Sequence, residues 1–504
     1  MKAHDVSLYS VIKRNARLYK NRTVLISGRQ EISYLEFLEK VDTLASGLQA
    51  IGLKRGERIG VLARNSLEFV YLLGAAARIG AILLPINWRL CREEVEYVIL
   101  DGSPMVLFVD PEFRSTVSHL VSDAPTPIDW FSTRASSHEF RSFSELMGKN
   151  GIGPDVNCRQ DDRCVIIHTA AIHGRPRGSI ITHQGLLLTS LQLACSWNLS
   201  QEDVGVAMLP LFHVAGLLQL VSVMMAGGRS ILFPGFDVDV AVKCVEEHQA
   251  TVFFEFPPML ASMLDKAEEG GRDLSSLRHV LGIDHLDTVK RFEEITGATF
   301  WAAYGQSETS GLTSVAPCSE KPGSAGLPVQ MAEVEVVDES GNILEPGELG
   351  EIVVRGPQVF EGYWNMEEDT RHTFRDGWHH TGDMGRIDED GFLWFEGRAL
   401  EKELIKTGGE NVYPAEVEQV ILEHPMVTGV AVIGVPDIQW GEAIKAICVL
   451  TPGSSLSEAD LIEFVAGKIA RFKKPKHVVY VNELPKTGDG RVDRERIKKN
   501  CGEA

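Results

Sequence analysis

The sequence predicts an α/β protein of two domains, and three observations carry that expectation. Short apolar runs bounded by Gly, Pro or Asp alternate with amphipathic stretches through the N-terminal part of the chain. Residues 333–355 then switch to a period of two. After Arg398 a new pattern of strand and helix begins and runs to the end. Strands alternating with amphipathic helices build βαβ units around largely parallel sheets. A chain of 504 residues, 44% of them apolar, exceeds what one core organises.

Taken in order, Tyr34 to Ile51 and Ser66 to Ile79 carry the helical period. Between and after them, Arg58–Leu62, Ala81–Pro85 and Pro104–Val109 read as short buried strands. The loop from Ala124 to Arg134 is the longest linker, and no internal repeat appears. Cys164–Ile167 is a strand, followed by a glycine-containing loop and a helix from about Thr182-His183. The longest apolar stretch, Leu217 to Ala226, carries Gln219 and is too short to span a bilayer. In 333–355, alternating Val334/Val336 and Ile352/Val354 around Glu345-Pro346-Gly347 predict a β-rich insert or barrel. The last domain begins at Leu404-Ile405-Lys406. It continues through helix Pro414–His424, strands Val427–Val435 and Ala443–Leu450, helix Ser457–Ala466 and a basic tail.

The formal net charge of −20 excludes a nucleic-acid binder, which needs a basic face to displace counterions. An anionic ligand must meet local cations instead. Eight cysteines show no C-x-x-C or Cys/His ligand spacing and read as reduced thiols. The N-terminal residues show no charged lead into an apolar run, so no signal peptide is expected and the reading is cytoplasmic.

Four segments carry chemistry. His168-Thr169-Ala170-Ala171-Ile172-His173-Gly174-Arg175-Pro176-Arg177-Gly178 lies between strand and helix, where backbone N–H groups can wrap phosphate oxygens. On its own it reads more readily as an ordinary connecting loop, and only the other motifs in order favour a variant phosphate loop. Tyr304-Gly305-Gln306-Ser307-Glu308-Thr309 offers an aromatic face, a hydroxyl and a hard carboxylate. Thr381-Gly382-Asp383 offers a carboxylate that suits a vicinal diol. Gly408-Gly409-Glu410-Asn411 is small enough for close backbone approach.

In this order these motifs resemble the adenylate-forming superfamily of acyl-CoA synthetases, luciferases and peptide-synthetase adenylation domains. The resemblance runs from the Tyr34-x-x-Phe37 region to Arg491. It implies a large N-terminal domain, 1–400, of parallel βαβ sheets with a β-rich barrel subdomain, and a small mobile C-terminal α+β domain, 401–504. It implies a ligase using ATP, Mg²⁺ and coenzyme A. A carboxylic acid becomes acyl-AMP with release of pyrophosphate, and the acyl group then passes to CoA.

Residue by residue, the resemblance assigns Thr169, Gly174, Arg177, Gly178, Tyr304, Ser307, Asp383 and Arg398 to ATP or AMP. Glu308 is assigned to Mg²⁺. The catalytic set is Arg491, Glu308 and His213, with Arg177 and Arg491 standing where the family carries lysine. His213, in Pro210-Leu211-Phe212-His213, joins Gly282, Ile283, Asp284 and Trp301 at the acyl pocket. Alone, His213 reads as a structural histidine. No Asp stands beside Phe212, which counts against an amino-acid substrate. Gly408, Gly409, Arg471, Lys473 and Lys474 are assigned to CoA, and Lys402 and Glu403 to the hinge. Ala399 to Glu401 makes that hinge about two residues longer than the common pattern.

Departures in the phosphate loop and at Gly282-Ile283-Asp284 keep two alternatives open. One is an acyl-AMP ligase serving a carrier-protein thiol, the other a nucleotide-binding pseudoenzyme. The expected substrate is a small-to-medium aliphatic, alicyclic or aromatic acid, and a homodimer is compatible with the reading.

Overall fold

Local signals start and stop the helices that position the site. Ser33 Oγ accepts from the Glu36 amide at 3.2 Å, and Glu36 returns a carboxylate to the Ser33 amide at 2.8 Å. This capping box opens helix Tyr34–Ala50. Ser66 Oγ accepts from the Phe69 amide to start helix Leu67–Ile79, and Gly80, at φ +69°, ends it in the left-handed region. The computed structural model describes residues 5–148, 157–169, 176–398, 404–437, 439–486 and 492–502.

Two sheets organise the large domain. In one, Arg141–Ser142, Asp129–Ser132, Val106–Val109, Arg58–Leu62, Ile82–Pro85 and Arg163–Thr169 run parallel, and Arg177–Thr182 closes the edge antiparallel to Arg163–Thr169. The other has nine strands. Its centre is the parallel set Thr299–Tyr304, His279–Gly282, Val252–Phe254, Val204–Ala207, Arg229–Leu232 and Thr23–Ser27. Between the sheets, helices Tyr34–Ala50, Leu67–Ile79 and Val214–Ala226 bury one continuous apolar core that includes Phe37, Leu72 and Leu217.

The β-rich insert is a five-stranded antiparallel sheet of Glu333–Val337, Gly350–Arg355, Phe374–Arg375, Trp378–Ile387 and Leu393–Arg398. The small domain carries its own five-stranded sheet, on strands Ile405–Thr407, Glu410–Val412, Val427–Asp437, Gly441–Leu450 and His477–Tyr480. Alternation along Val427–Asp437 divides that sheet into two faces. Val430 and Val432 pack with helices Pro414–Leu422 and Glu458–Ala466, whereas Ala431 and Ile433 pack with Ile497 of helix Arg494–Cys501.

Two expectations are corrected. The glycine-containing loop joins two antiparallel strands, not a strand to a helix. Arg177 and Gly178 therefore lie on strand Arg177–Thr182, and the helix starts only at His183. The segment 124–134 is no plain linker, because strand Asp129–Ser132 lies inside it. No helix among the described residues is long and apolar enough to cross a membrane. No disulfide links any of the eight cysteines.

Candidate active site

At the carboxyl ends of the parallel strands lies a cavity of about 450 Å³ walled by both domains. Strand Thr299–Tyr304 delivers Tyr304 to it, and the turn Ser307–Thr309 delivers Ser307 and Glu308. Asp383 arrives from strand Trp378–Ile387, where Gly382 takes φ +73°. Only 2% exposed, the Asp383 carboxylate accepts from Tyr304 Oη at 2.7 Å and Gln306 Nε2 at 2.6 Å, both on Oδ2. An ionised carboxylate has about four lone-pair sites, so these donors fix it and leave capacity for a diol. Asp383 pairs in register with Arg398 on the neighbouring strand. The Tyr304 ring stacks on Phe395, centroids 6.2 Å apart at 28°.

Glu308 is 7% exposed and accepts from Tyr363 Oη at 2.9 Å. The Arg177 guanidinium lies over the same Tyr363 ring, 4.1 Å from its centroid, with Nη1 3.3 Å from Asp369. Burial alone would lower the Arg177 pKa, but nearby Tyr363 and Glu308 outweigh it and leave it raised. One fixed cation and one fixed carboxylate thus face the same corner. A single hard carboxylate fits Mg²⁺, which keeps several waters and takes other oxygens from substrate phosphates. Thr169 also lines the cavity. Gly178 does not. Its neighbours are Ile166 and Trp364, and a Cβ there would lie 2.8 Å from Ile166.

His213 caps helix Val214–Ala226, its Nδ1 accepting from the Ala215 amide at 3.3 Å. Desolvation holds its pKa below the ordinary value against the pull of Glu410, so the ring is neutral with its proton on Nε2. It meets Phe256 edge-on, 5.9 Å away. Phe256, Pro257, Val214 and Ile283 form the apolar wall beside it.

The expected acyl-pocket set is only partly assembled. Ile283 is 49% exposed and lines the cavity. Gly282 is covered by Glu255, whose Oε1 would sit 2.0 Å from a Cβ there. Asp284 lies near enough to Glu255 to help raise its pKa. Trp301 lies against Trp197, centroids 5.7 Å apart, and donates to His279 Nδ1 at 3.1 Å. Trp301, Gly282 and Asp284 are thus absent from the cavity lining, Glu255 covering Gly282 and Trp197 and His279 holding Trp301.

From the small domain, the turn Gly408-Gly409 reaches the large one. Both residues have positive φ, +56° and +81°. A Cβ on Gly409 would lie 2.7 Å from the Phe256 ring, and one on Gly408 2.8 Å from Trp440. A smaller hollow of about 80 Å³ adjoins the cavity, lined by Asn87, Leu90 and Phe212 on one side and Asn411, Phe472 and Lys473 on the other.

The basic segment does not act as one patch. Arg471 is exposed beside Glu463, and Lys474 is half-buried near the same carboxylate, 3.8 Å away. Lys473 is 3% exposed and bonded to Glu94 and Glu416, which corrects its expected place among cations facing CoA. Gly174, Arg491, Lys402, Glu403 and the side chain of Arg398 lie outside the described residues. Lys486 and Val492, which bracket Arg491, bridge to one another, and neither lines the cavity.

Reading the sequence misses several lining groups: Gln306, Tyr363, Phe395, Lys406, Tyr413 and Trp440. Lys406 at the end of Leu404-Ile405-Lys406 was the most legible, since a cation closing an apolar strand marks an exposed or functional end. Glu255 was legible too, as the one charge in Phe253-Phe254-Glu255-Phe256. It is buried, and burial first, then Asp284, holds its pKa well above the carboxylate range.

Comparison with known proteins adds the following. The model of the family described as AMP-binding enzyme matches residues 12–364, and that of the AMP-binding enzyme C-terminal domain matches 416–491. An indoleacetate–CoA ligase of Aromatoleum aromaticum is 33% identical over 496 residues, 97% of each chain. A feruloyl-CoA synthase of an Amycolatopsis species is also 33% identical over 496 residues, 97% of this chain and 98% of its own. The solved structure of o-succinylbenzoate CoA synthetase from Bacillus subtilis, a double mutant bound with a product analogue, is 27% identical. It covers 98% of both chains with a TM-score of 0.85.

Proposed function

From the premise that this chain belongs to the AMP-binding enzyme family and is an acyl-CoA ligase, we propose how its own residues divide the two half-reactions and which acids it takes. A carboxylate oxygen attacks the α-phosphorus of ATP, the bond to the β-phosphate oxygen breaks, and pyrophosphate leaves. The CoA thiol then attacks the acyl carbon of acyl-AMP, the carbon–oxygen bond to AMP breaks, and the thiol proton passes to solvent. No enzyme nucleophile is needed, so catalysis rests on positioning and charge.

Asp383, fixed by Tyr304 and Gln306, takes the ribose diol. Arg177 faces the phosphates beside Glu308. Glu308 is the residue suited to hold Mg²⁺, which would offset phosphate charge when bound. Neutral His213 offers its Nε2 proton to the carboxylate oxygens of the acid. The observation that carries the thiol step is the turn Gly408-Gly409 against Phe256. It brings small-domain backbone to the cavity, whose lining does not include Lys486 or Val492. This arrangement favours acyl transfer, and adenylation then calls for another placement of the small domain that brings Arg491 in.

For the acid, Phe256, Pro257, Val214 and Ile283 form an apolar wall. Together with relatives named for indoleacetate and ferulate, this supports an aromatic or arylalkanoic acid of moderate size. The test is pyrophosphate release from ATP and Mg²⁺ across aromatic, short aliphatic and long-chain acids, with the CoA thioester identified by mass. Turnover should peak on the aromatic acids. A steady rise with chain length into the long fatty acids overturns the substrate reading, and thioester formed on a carrier protein but not on CoA overturns the acceptor.

A further inference from the structure

We propose that Lys473 is a positioning residue for acyl transfer, pinning the small domain to the large one through Glu94. Its Nζ lies 2.5 Å from Glu94 Oε1 and 2.6 Å from Glu416 Oε1, and the lysine is 3% exposed. Glu416, on helix Pro414–Leu422, belongs to the small domain, whereas Glu94, on helix Arg92–Gly102, belongs to the large one. Glu94 is itself held, because its Oε2 accepts from the Cys91 amide at 2.8 Å. Lys473 therefore meets a preset acceptor and not a free surface carboxylate.

The same ledge makes two further contacts with the small domain. Arg89 pairs with Glu410 at 2.5 Å, and Cys91 Sγ reaches the Lys468 carbonyl at 3.7 Å. Of the three, only the lysine pair is withdrawn from water on both partners, so screening weakens it least. Its chemistry also explains why a cation is needed there. Without it, two buried carboxylates would face each other across the seam, and the docked placement would be penalised by repulsion as well as by the lost bond. Lys473 flanks the hollow beside Phe472 and Asn87. Its ammonium is turned toward these two carboxylates, so anionic CoA groups are left to exposed cations such as Arg471.

This inference rests on the two-step reading above, and the experiment separates the two. Lys473→Met, Glu94→Gln and the double variant are assayed for pyrophosphate release and, separately, for transfer from synthetic acyl-AMP to CoA. Amide hydrogen exchange over residues 89–102 and 408–422 is followed in parallel.

Lys473→Met should lower kcat/KM of transfer for CoA by about tenfold or more, chiefly by raising KM, because CoA binds only the docked placement. Adenylation should be unchanged, and exchange should quicken in both segments. Glu94→Gln should show a smaller version of the same pattern, and adding it to Lys473→Met should recover part of the loss by removing the repulsion. A kcat/KM for CoA within about twofold of the parent in Lys473→Met, or Glu94→Gln indistinguishable from the parent in transfer and exchange, overturns the pin. Should Lys473→Met fail to fold, Glu94→Gln alone decides. A parent enzyme that neither releases pyrophosphate nor transfers acyl-AMP overturns the functional reading, and quickened exchange in the variants would still support the pin.

Discussion

Asp383 shows how a single side chain is prepared before its ligand arrives. Tyr304 and Gln306 are 79 and 77 positions away in sequence, yet both donate to Oδ2, and the Thr381 hydroxyl accepts from the Asp383 amide at 3.1 Å. Asp383→Ala should weaken ATP binding by roughly 1.5–3 kcal/mol, the worth of hydrogen bonds to a charged acceptor. Titrating the variant with ATP checks this, and unchanged affinity would remove the ribose from this corner. The carboxylate was legible in Thr381-Gly382-Asp383. The donors around it were not, because nothing local in Gln306 announces a partner so distant in the chain. Lys473 shows the opposite failure. In a run of basic residues it reads as a cation facing CoA, and only Glu94, 379 positions away, reveals that it is buried.

Among the elements, those with a clean period were legible. Strand Arg58–Leu62 falls where the apolar run placed it, and helices 34–50 and 67–79 end within a residue or two of expectation. Strand Arg177–Thr182 was hidden, since Pro176 and Gly178 read as punctuation. Pairing with Arg163–Thr169 and the Ile180 amide bonded to the Gly362 carbonyl make it a strand, and both are long-range. The turn Gly408-Gly409 was legible as glycine but not as a contact. Gly409→Ala should slow acyl transfer and spare adenylation, because a methyl group must displace Phe256 and the backbone sits at φ +81°. The backbone penalty alone is about 1 kcal/mol. Rates of the two half-reactions measured apart would show it, and equal loss in both would make the turn merely structural.

At the scale of the molecule, stability should depend on acid. His183 is wholly buried, with Nδ1 accepting from the Leu8 amide, and burial brings its pKa down to about 4. Its unfolded value is near 6.5, so the unfolded chain binds the extra proton first as pH falls. The contribution is complete above about pH 6.5 and is lost progressively toward pH 4, reaching on the order of 3 kcal/mol. Urea midpoints measured from pH 7 down to 4.5 should fall, and His183→Gln should flatten the profile. The hollow between Asn87, Leu90 and Phe212 and the facing Phe472 has its own consequence. Eleven of its lining residues come from the large domain and four, Glu410, Asn411, Phe472 and Lys473, from the small one, so it is closed only while the two are docked. A thiol then has nowhere to bind until pyrophosphate has gone and the small domain has come across. In steady-state language the order of addition is compulsory. Reciprocal plots against ATP at several CoA concentrations should be parallel lines, and intersecting lines would mean that CoA has a seat before the seam closes.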